Sequence, residues 1–102
     1  MINLEQKHLD IVKQILAQHV PECEVRMFGS RVNGTATTYS DVDLALVCDE
    51  EMDWRKVESL RDEFAESDLP MSVDVLDSNA VSDEFRAIIL ENYFVIQKPS
   101  SK

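Results

Sequence analysis

Glycine is nearly absent from this 102-residue sequence: its only two, Gly29 and Gly34, stand in one short window, where average usage would scatter about seven along such a length. Any special backbone demand is therefore concentrated there. Positive charge is scarce as well, with 10 Lys and Arg against 20 Asp and Glu and a formal net charge of −10. Such a surplus repels a polyanion, and no run of Lys or Arg supplies a stripe for backbone phosphates, which argues against autonomous nucleic-acid binding. It also repels a free nucleotide, so phosphate chemistry here calls for a divalent cation between carboxylates and substrate. Long apolar runs are missing: the longest, Leu44 to Cys48, is far below the roughly 20 residues that span a bilayer, so no transmembrane helix is expected. Met1 to Glu5 shows neither a basic nor an apolar leader region, and the cytoplasm is the expected location. Cysteine is limited to Cys23 and Cys48, with no C-x-x-C spacing. Their apolar, strand-like surroundings predict two free thiols packed in the core rather than a metal site or a disulfide.

What remains is an ordinary globular share of apolar residues, 44%, sufficient for one modest core. Residues 1–97 are expected to form a single domain, with 98–102 a polar tail. Leu4, His8, Ile11, Val12, Ile15, Leu16 and His19 recur at helical spacing and predict an amphipathic helix ending before Pro21. The two histidines lie about 16 Å apart along such a helix, so they cannot share a metal and belong to the edge of the core. Cys23 to Phe28 alternates as a half-buried strand, with Cys23, Val25 and Met27 on one face. Leu44 to Cys48 reads as a central strand covered on both faces. Asp53 is suited to cap a helix carrying Trp54, Val57, Leu60, Arg61 and Phe64, and Met71 to Leu76 forms a third strand. Ser82 can cap a last helix with Phe85, Ile88 and Ile89 on its buried face, followed by a short strand from Tyr93 to Ile96. The order predicts an α/β or α+β sandwich, a small sheet flanked by helices.

The chemistry collects at the polar end of the central strand. Asp41 and Asp43 are two apart, so on a strand their side chains leave the same face, with alpha carbons roughly 6.6 Å apart. Asp74 is the one charged residue in Ser72-Val73-Asp74-Val75-Leu76 and can join them from a neighbouring strand about 4.8 Å away. Two carboxylates about 5 Å apart repel by on the order of 3 kcal/mol at an effective dielectric near 20, so three pointing inward need a cation. Oxygen ligands of this kind suit Mg²⁺ or Mn²⁺. Upstream, Phe28 runs into Gly29-Ser30-Arg31. Glycine allows a sharp turn and a close ligand approach, the next amides can open a short helix toward phosphate, Ser30 adds a hydroxyl, and Arg31 adds a forked cation. A phosphate cradle beside a carboxylate cluster describes metal-assisted attack on a nucleoside triphosphate.

Other chemistries fit less well. A calcium loop needs a ligand at position 45 and then a glycine, where Ala45 and Leu46 stand. A phosphatase-type D-x-D follows its apolar strand, whereas here the apolar run comes after the pair. Ser40 has no histidine placed to activate it and is read as support for Asp41 or the turn, not as a nucleophile. Trp54, Phe64, Phe85 and Tyr93 are read as core packing, not as a base-stacking set.

The pattern Phe28-Gly29-Ser30-Arg31, the stretch to Ser40, Asp41-Val42-Asp43-Leu44 and the later Val73-Asp74-Val75 resembles the minimal nucleotidyltransferases of the DNA polymerase β-like superfamily. The likeness runs along nearly the whole chain and is nearest to the small nucleotide-binding subunits of two-component bacterial nucleotidyltransferases. It implies a palm-like mixed-sheet fold. It also implies that Gly29 and Ser30 hold the triphosphate, that Asp41 and Asp43 bind both metals, and that Asp74 completes the catalytic metal site and helps deprotonate the acceptor. Members of this size are often encoded beside a helical HEPN-type protein and form a complex with it, in several pairs as an antitoxin and in some by moving AMP onto a partner tyrosine. The resemblance further implies that the acceptor is held by another chain or a second copy. The leading expectation is thus a Mg²⁺-dependent transferase of NMP, with ATP the expected donor, to an acceptor hydroxyl. The alternative is a non-catalytic acidic module that neutralises a partner by binding.

Overall fold

The computed structural model describes residues 3–35 and 40–100. The extreme N-terminus, the end of the expected polar tail and the middle of the Gly29–Ser40 segment lie outside the described residues. The elements run α1 (Gln6–His19), β1 (Glu24–Phe28), α2 (Ser30–Asn33), β2 (Val42–Val47), α3 (Trp54–Ala65), β3 (Val73–Asp77), α4 (Asp83–Glu91) and β4 (Tyr93–Gln97). The expected helices and strands are all present, and the short helix anticipated after Gly29 is α2, but Trp54, Ile88 and Tyr93, expected to pack in the core, are exposed. No described helix is long and apolar enough to cross a membrane.

Local chemistry explains the helix boundaries. The Asp53 side chain accepts a hydrogen bond from the Arg55 amide at 2.9 Å, and the Ser82 hydroxyl accepts one from the Phe85 amide at 3.1 Å. Each satisfies an amide that the first turn of its helix leaves without a partner. Asp83 and Glu84 lie in the first turn of α4, where negative charge complements the helix dipole.

The four strands form one mixed sheet in the order β3-β2-β1-β4. β1 lies antiparallel to β2 and to β4, whereas β2 and β3 are parallel and joined through α3, because parallel neighbours need a crossover. One face carries Val25, Met27, Val42, Leu44, Leu46 and Val75. These pack with Leu9, Val12, Ile15 and Leu16 of α1 and with Val57, Leu60 and Phe64 of α3 into the main core. The other face is more open. There α4 lies over Arg26, Ala45 and Val47, and Ala45 and Ile89 are buried outside the main core. β2 is therefore interior to the sheet and largely covered, as its apolar run predicted.

The two cysteines require a correction. Cys23 and Cys48 form a disulfide, with alpha carbons 4.6 Å apart, not two free thiols. The cause is strand register: Glu24 pairs with Val47 across β1 and β2, so the residues one step beyond that pair stand opposite each other at bonding distance. Spacing along the chain carries no trace of that register.

Candidate active site

Asp43 and Asp74 are register partners across the parallel β2–β3 pair, and Phe28 stands opposite Asp43 on the antiparallel side. Side chains directly opposite share a face of the sheet, here the one that α4 only partly covers. Asp41 immediately precedes β2 and is exposed, as is Asp74, while Asp43 is half-buried. The Val42 amide donates to the Ser72 carbonyl at 2.9 Å, which ties the start of β2 to the start of β3 and holds the three aspartates at one end of the sheet.

The electrostatics follow from that placement. Burial first, and then the negative charges of Asp74 and Asp41, push the Asp43 carboxyl above its ordinary value. Among the described residues no three His, Cys, Asp or Glu side chains converge into a ready-made metal cage. Two of the three carboxylates are exposed and all carry like charge, so nothing in the protein alone draws them together. The donor set nevertheless fits a hard divalent cation: it is all oxygen, it lies at one strand end, and its central member bears a charge imbalance that a cation offsets.

Gly29 ends β1 with φ 82°, a conformation that side chains disfavour. A Cβ placed there would run into Asp43 Oδ2, so the backbone approaches the carboxylate as closely as only glycine permits. Ser30 then opens α2, whose Val32 and Asn33 amides both donate to the Gly29 carbonyl, at 3.0 and 3.1 Å. Gly29 and Ser30 are thus set beside the carboxylate row.

Arg31 is placed otherwise than the sequence predicted. Only 5% exposed, it donates to the Ser40 carbonyl from Nε and one terminal nitrogen, at 3.2 and 2.8 Å, and to the Asn3 carbonyl from the other, at 2.9 Å. The Asn3 amide in turn donates to the Arg31 carbonyl at 2.7 Å. Its guanidinium is therefore a clamp on main chain, tying the residue before Asp41 to the N-terminal segment, and not a phosphate ligand held out to solvent. The chain pays the cost of burying that cation with carbonyl oxygens.

Along the strands from the aspartates, Phe28, Asp43, Arg61, Asp74, Val75, Leu76 and Phe85 line a cleft of about 470 Å³. Two of these, Phe85 and Arg61, were not anticipated at the site. Phe85 meets Phe28 edge to face, with centroids 6.1 Å apart. Arg61 donates to the Val75 carbonyl at 3.1 and 2.6 Å and to Glu58 at 2.6 Å, occupying main chain that edge strand β3 leaves unpaired. The signal for Arg61 was present, since it interrupts the apolar stripe of α3, but only the β3 edge explains it. Asp77 also went unnoticed. Buried at the far end of β3, it accepts from the Met52 amide at 2.6 Å and the Asn79 amide at 3.0 Å, a structural role that fixes the loops on either side.

A mixed sheet whose paired strand ends carry D-x-D and a third aspartate, preceded by a glycine–serine turn, defines a nucleotidyltransferase of the polymerase β type. The family model "Polymerase beta, Nucleotidyltransferase" matches residues 10–101, and the chain belongs to that family. Within it, the chain is 46% identical over 97 residues to the probable protein adenylyltransferase MntA of Haemophilus influenzae, covering 95% of this chain and 85% of that protein. The fold is shared with a toxin–antitoxin complex crystallised with AMP-PNP, at TM-score 0.76 and 21% identity, over 91% of this chain and 74% of that one. It is also shared with the complex of a tri-AMPylated Shewanella oneidensis HEPN toxin and an MNT antitoxin, at TM-score 0.64 and 18% identity, over 95% and 74% of the two chains.

Proposed function

We propose that this protein transfers AMP from ATP to a hydroxyl on a HEPN-type partner protein, releasing pyrophosphate and acting as that partner's antitoxin. The observation that supports this most is the Asp43–Asp74 register pair with Asp41 alongside, set against a glycine whose missing side chain leaves room at Asp43. The donor nucleotide and the HEPN-type partner are carried over from the relatives: MntA is named a protein adenylyltransferase, and a structural neighbour pairs an AMPylated HEPN toxin with an MNT antitoxin.

In this reading Asp41, Asp43 and Asp74 would hold Mg²⁺ or Mn²⁺, which supplies neutralisation of the triphosphate and a lowered pKa for the attacking hydroxyl. Gly29 brings the main chain close to the phosphates, and the Ser30 hydroxyl and the leading turn of α2 donate to their oxygens. Arg31 acts at one remove, positioning Ser40 and so the approach to Asp41. Asp74, exposed beside the cleft, accepts the proton of the entering hydroxyl. The new bond joins that oxygen to the α-phosphorus as the bond to pyrophosphate breaks. In this reading the use of ATP as donor supports a cytoplasmic location, where the Cys23–Cys48 disulfide would meet a reducing thiol pool.

The net charge of −10 favours a second reading, an acidic module that neutralises its partner by binding alone. One experiment separates the two: incubation with ATP labelled at the α-phosphate, Mg²⁺ and a purified HEPN-type protein, beside an Asp43→Asn control. Label on the partner that vanishes in the control supports transfer. Neutralisation that survives in an Asp41→Asn, Asp43→Asn double variant, with no label in the wild type, supports binding alone.

A further inference from the structure

We infer that the acceptor protein docks in the groove between the start of α3 and the loop after β3. It fills that groove with a short extended apolar segment flanked by lysine or arginine. This rests on the reading above that the acceptor is a protein hydroxyl. Met52, Trp54, Val57, Leu76, Ala80 and Val81 line one continuous groove of about 280 Å³. Val57 is buried, whereas Trp54 is 71% exposed, more than any other large apolar side chain among the described residues. A lone exposed apolar side chain needs no partner, but an indole that walls an apolar groove offers a surface to be covered.

Position says which reactant reaches it. Arg61 and Leu76 border both this groove and the cleft that holds Asp43 and Asp74, so the two run into each other. In the sheet order β3-β2-β1-β4, Gly29 and Ser30 follow β1 on one side of Asp43, and Asp74 lies on β3 on the other. With the triphosphate on the glycine–serine turn, in-line displacement brings the attacking hydroxyl in from the side opposite the leaving pyrophosphate, which is the β3 side. From Asp74 the groove follows β3 to Asp77, which accepts from the Met52 amide at 2.6 Å. That length of strand is about 10 Å, enough for about three residues of an extended partner segment.

Charge fixes the far end. Asp49, Glu50 and Glu51 are exposed, and Glu51 lines the groove together with Trp54. The nearby cations already have partners: Arg55 on Asp53, Lys56 on Glu22, and Arg61 on Glu58 and the Val75 carbonyl. An acidic mouth on a chain of net charge −10 attracts a basic flank and repels a second copy of this chain.

The test titrates the full chain with a purified HEPN-type protein from the same genome. Trp54→Ser should bind it about tenfold more weakly or worse, with its melting temperature and its Mg²⁺-dependent binding of a fluorescent ATP analogue unchanged. Glu51→Lys, which keeps the indole, should weaken binding by about threefold, with the effect fading at high salt. Phe94→Ser, at an exposed apolar position on β4, should bind like the wild type. Trp54→Ser affinity within about twofold of the wild type, an equal loss in Phe94→Ser, or a wild-type chain that does not bind the partner would each overturn the assignment. So would a dimer, seen by light scattering, that Trp54→Ser dissolves while partner binding persists, since the groove would then belong to a second copy. Failure of the wild type to bind the ATP analogue with Mg²⁺ strikes the transferase reading instead, which keeps the two failures apart.

Discussion

Asp43 should weaken the metal-free protein, and removing its charge should stabilise it. Its folded-state pKa is raised by burial and by Asp74 and Asp41, so folding favours the protonated form. That contribution is fully present below the unfolded pKa, near 3.9, and is lost as pH rises through the raised folded value. At pH 7 the ionised carboxylate is therefore a net cost. Coulomb's law for charges about 5 Å apart gives roughly 0.8 kcal/mol at the dielectric of water and about 3 kcal/mol at an effective dielectric of 20. Because Asp74 is exposed, the screened end applies, and about 1 kcal/mol is expected. For a domain of this size that is about 4–8 °C in melting temperature. Asp43→Asn should thus melt higher than the wild type at pH 7 in EDTA, with the gap closing below about pH 4. Adding Mg²⁺ should raise the wild type and leave the variant nearly unmoved. A variant that melts lower than the wild type in EDTA at neutral pH, or equal Mg²⁺ shifts in both proteins, would refute the reasoning.

The same substitution should abolish label transfer while leaving the circular dichroism spectrum intact, and unchanged turnover would remove Asp43 from the chemistry. Gly34→Ala, with open space around the added methyl, should cost only the backbone penalty of about 1 kcal/mol. Gly29→Ala displaces the Asp43 carboxylate and should cost more, about 2–4 kcal/mol in urea unfolding, with transfer reduced about a hundredfold. Arg31→Lys leaves buried carbonyls of Ser40 and Asn3 short of donors and should lose about 2 kcal/mol with KM for ATP little altered. A large rise in KM at unchanged stability would instead return Arg31 to the phosphate. Opening the Cys23–Cys48 disulfide, which closes a separation of 25 residues, should cost about 3 kcal/mol, read as a lower melting temperature in dithiothreitol; no shift would refute the cross-link's role.

Much of the architecture was legible because it rests on local rules. The stripe of α1, the alternation of β1 and the caps at Asp53 and Ser82 each express a period or a hydrogen bond that spans a few residues, and the folded chain keeps them. The candidate site was legible for a related reason. Asp41 and Asp43 share a face by strand geometry alone, and Gly29-Ser30 announces its turn in a chain with almost no other glycine. The main-chain partners of Arg31 were not legible because the same guanidinium fork serves a phosphate or a pair of carbonyls, and sequence does not say which lies within reach.

The chain by itself determined the elements, their caps and the acidic surplus, all set by neighbours within a turn or two. Only the tertiary structure decided the sheet order β3-β2-β1-β4 and the partners it creates. It set Asp74 opposite Asp43, joined Cys23 to Cys48, and buried Arg31 on main chain. Each of these depends on strand register, and register follows from which faces the whole core can bury together, a property that no short stretch of sequence holds.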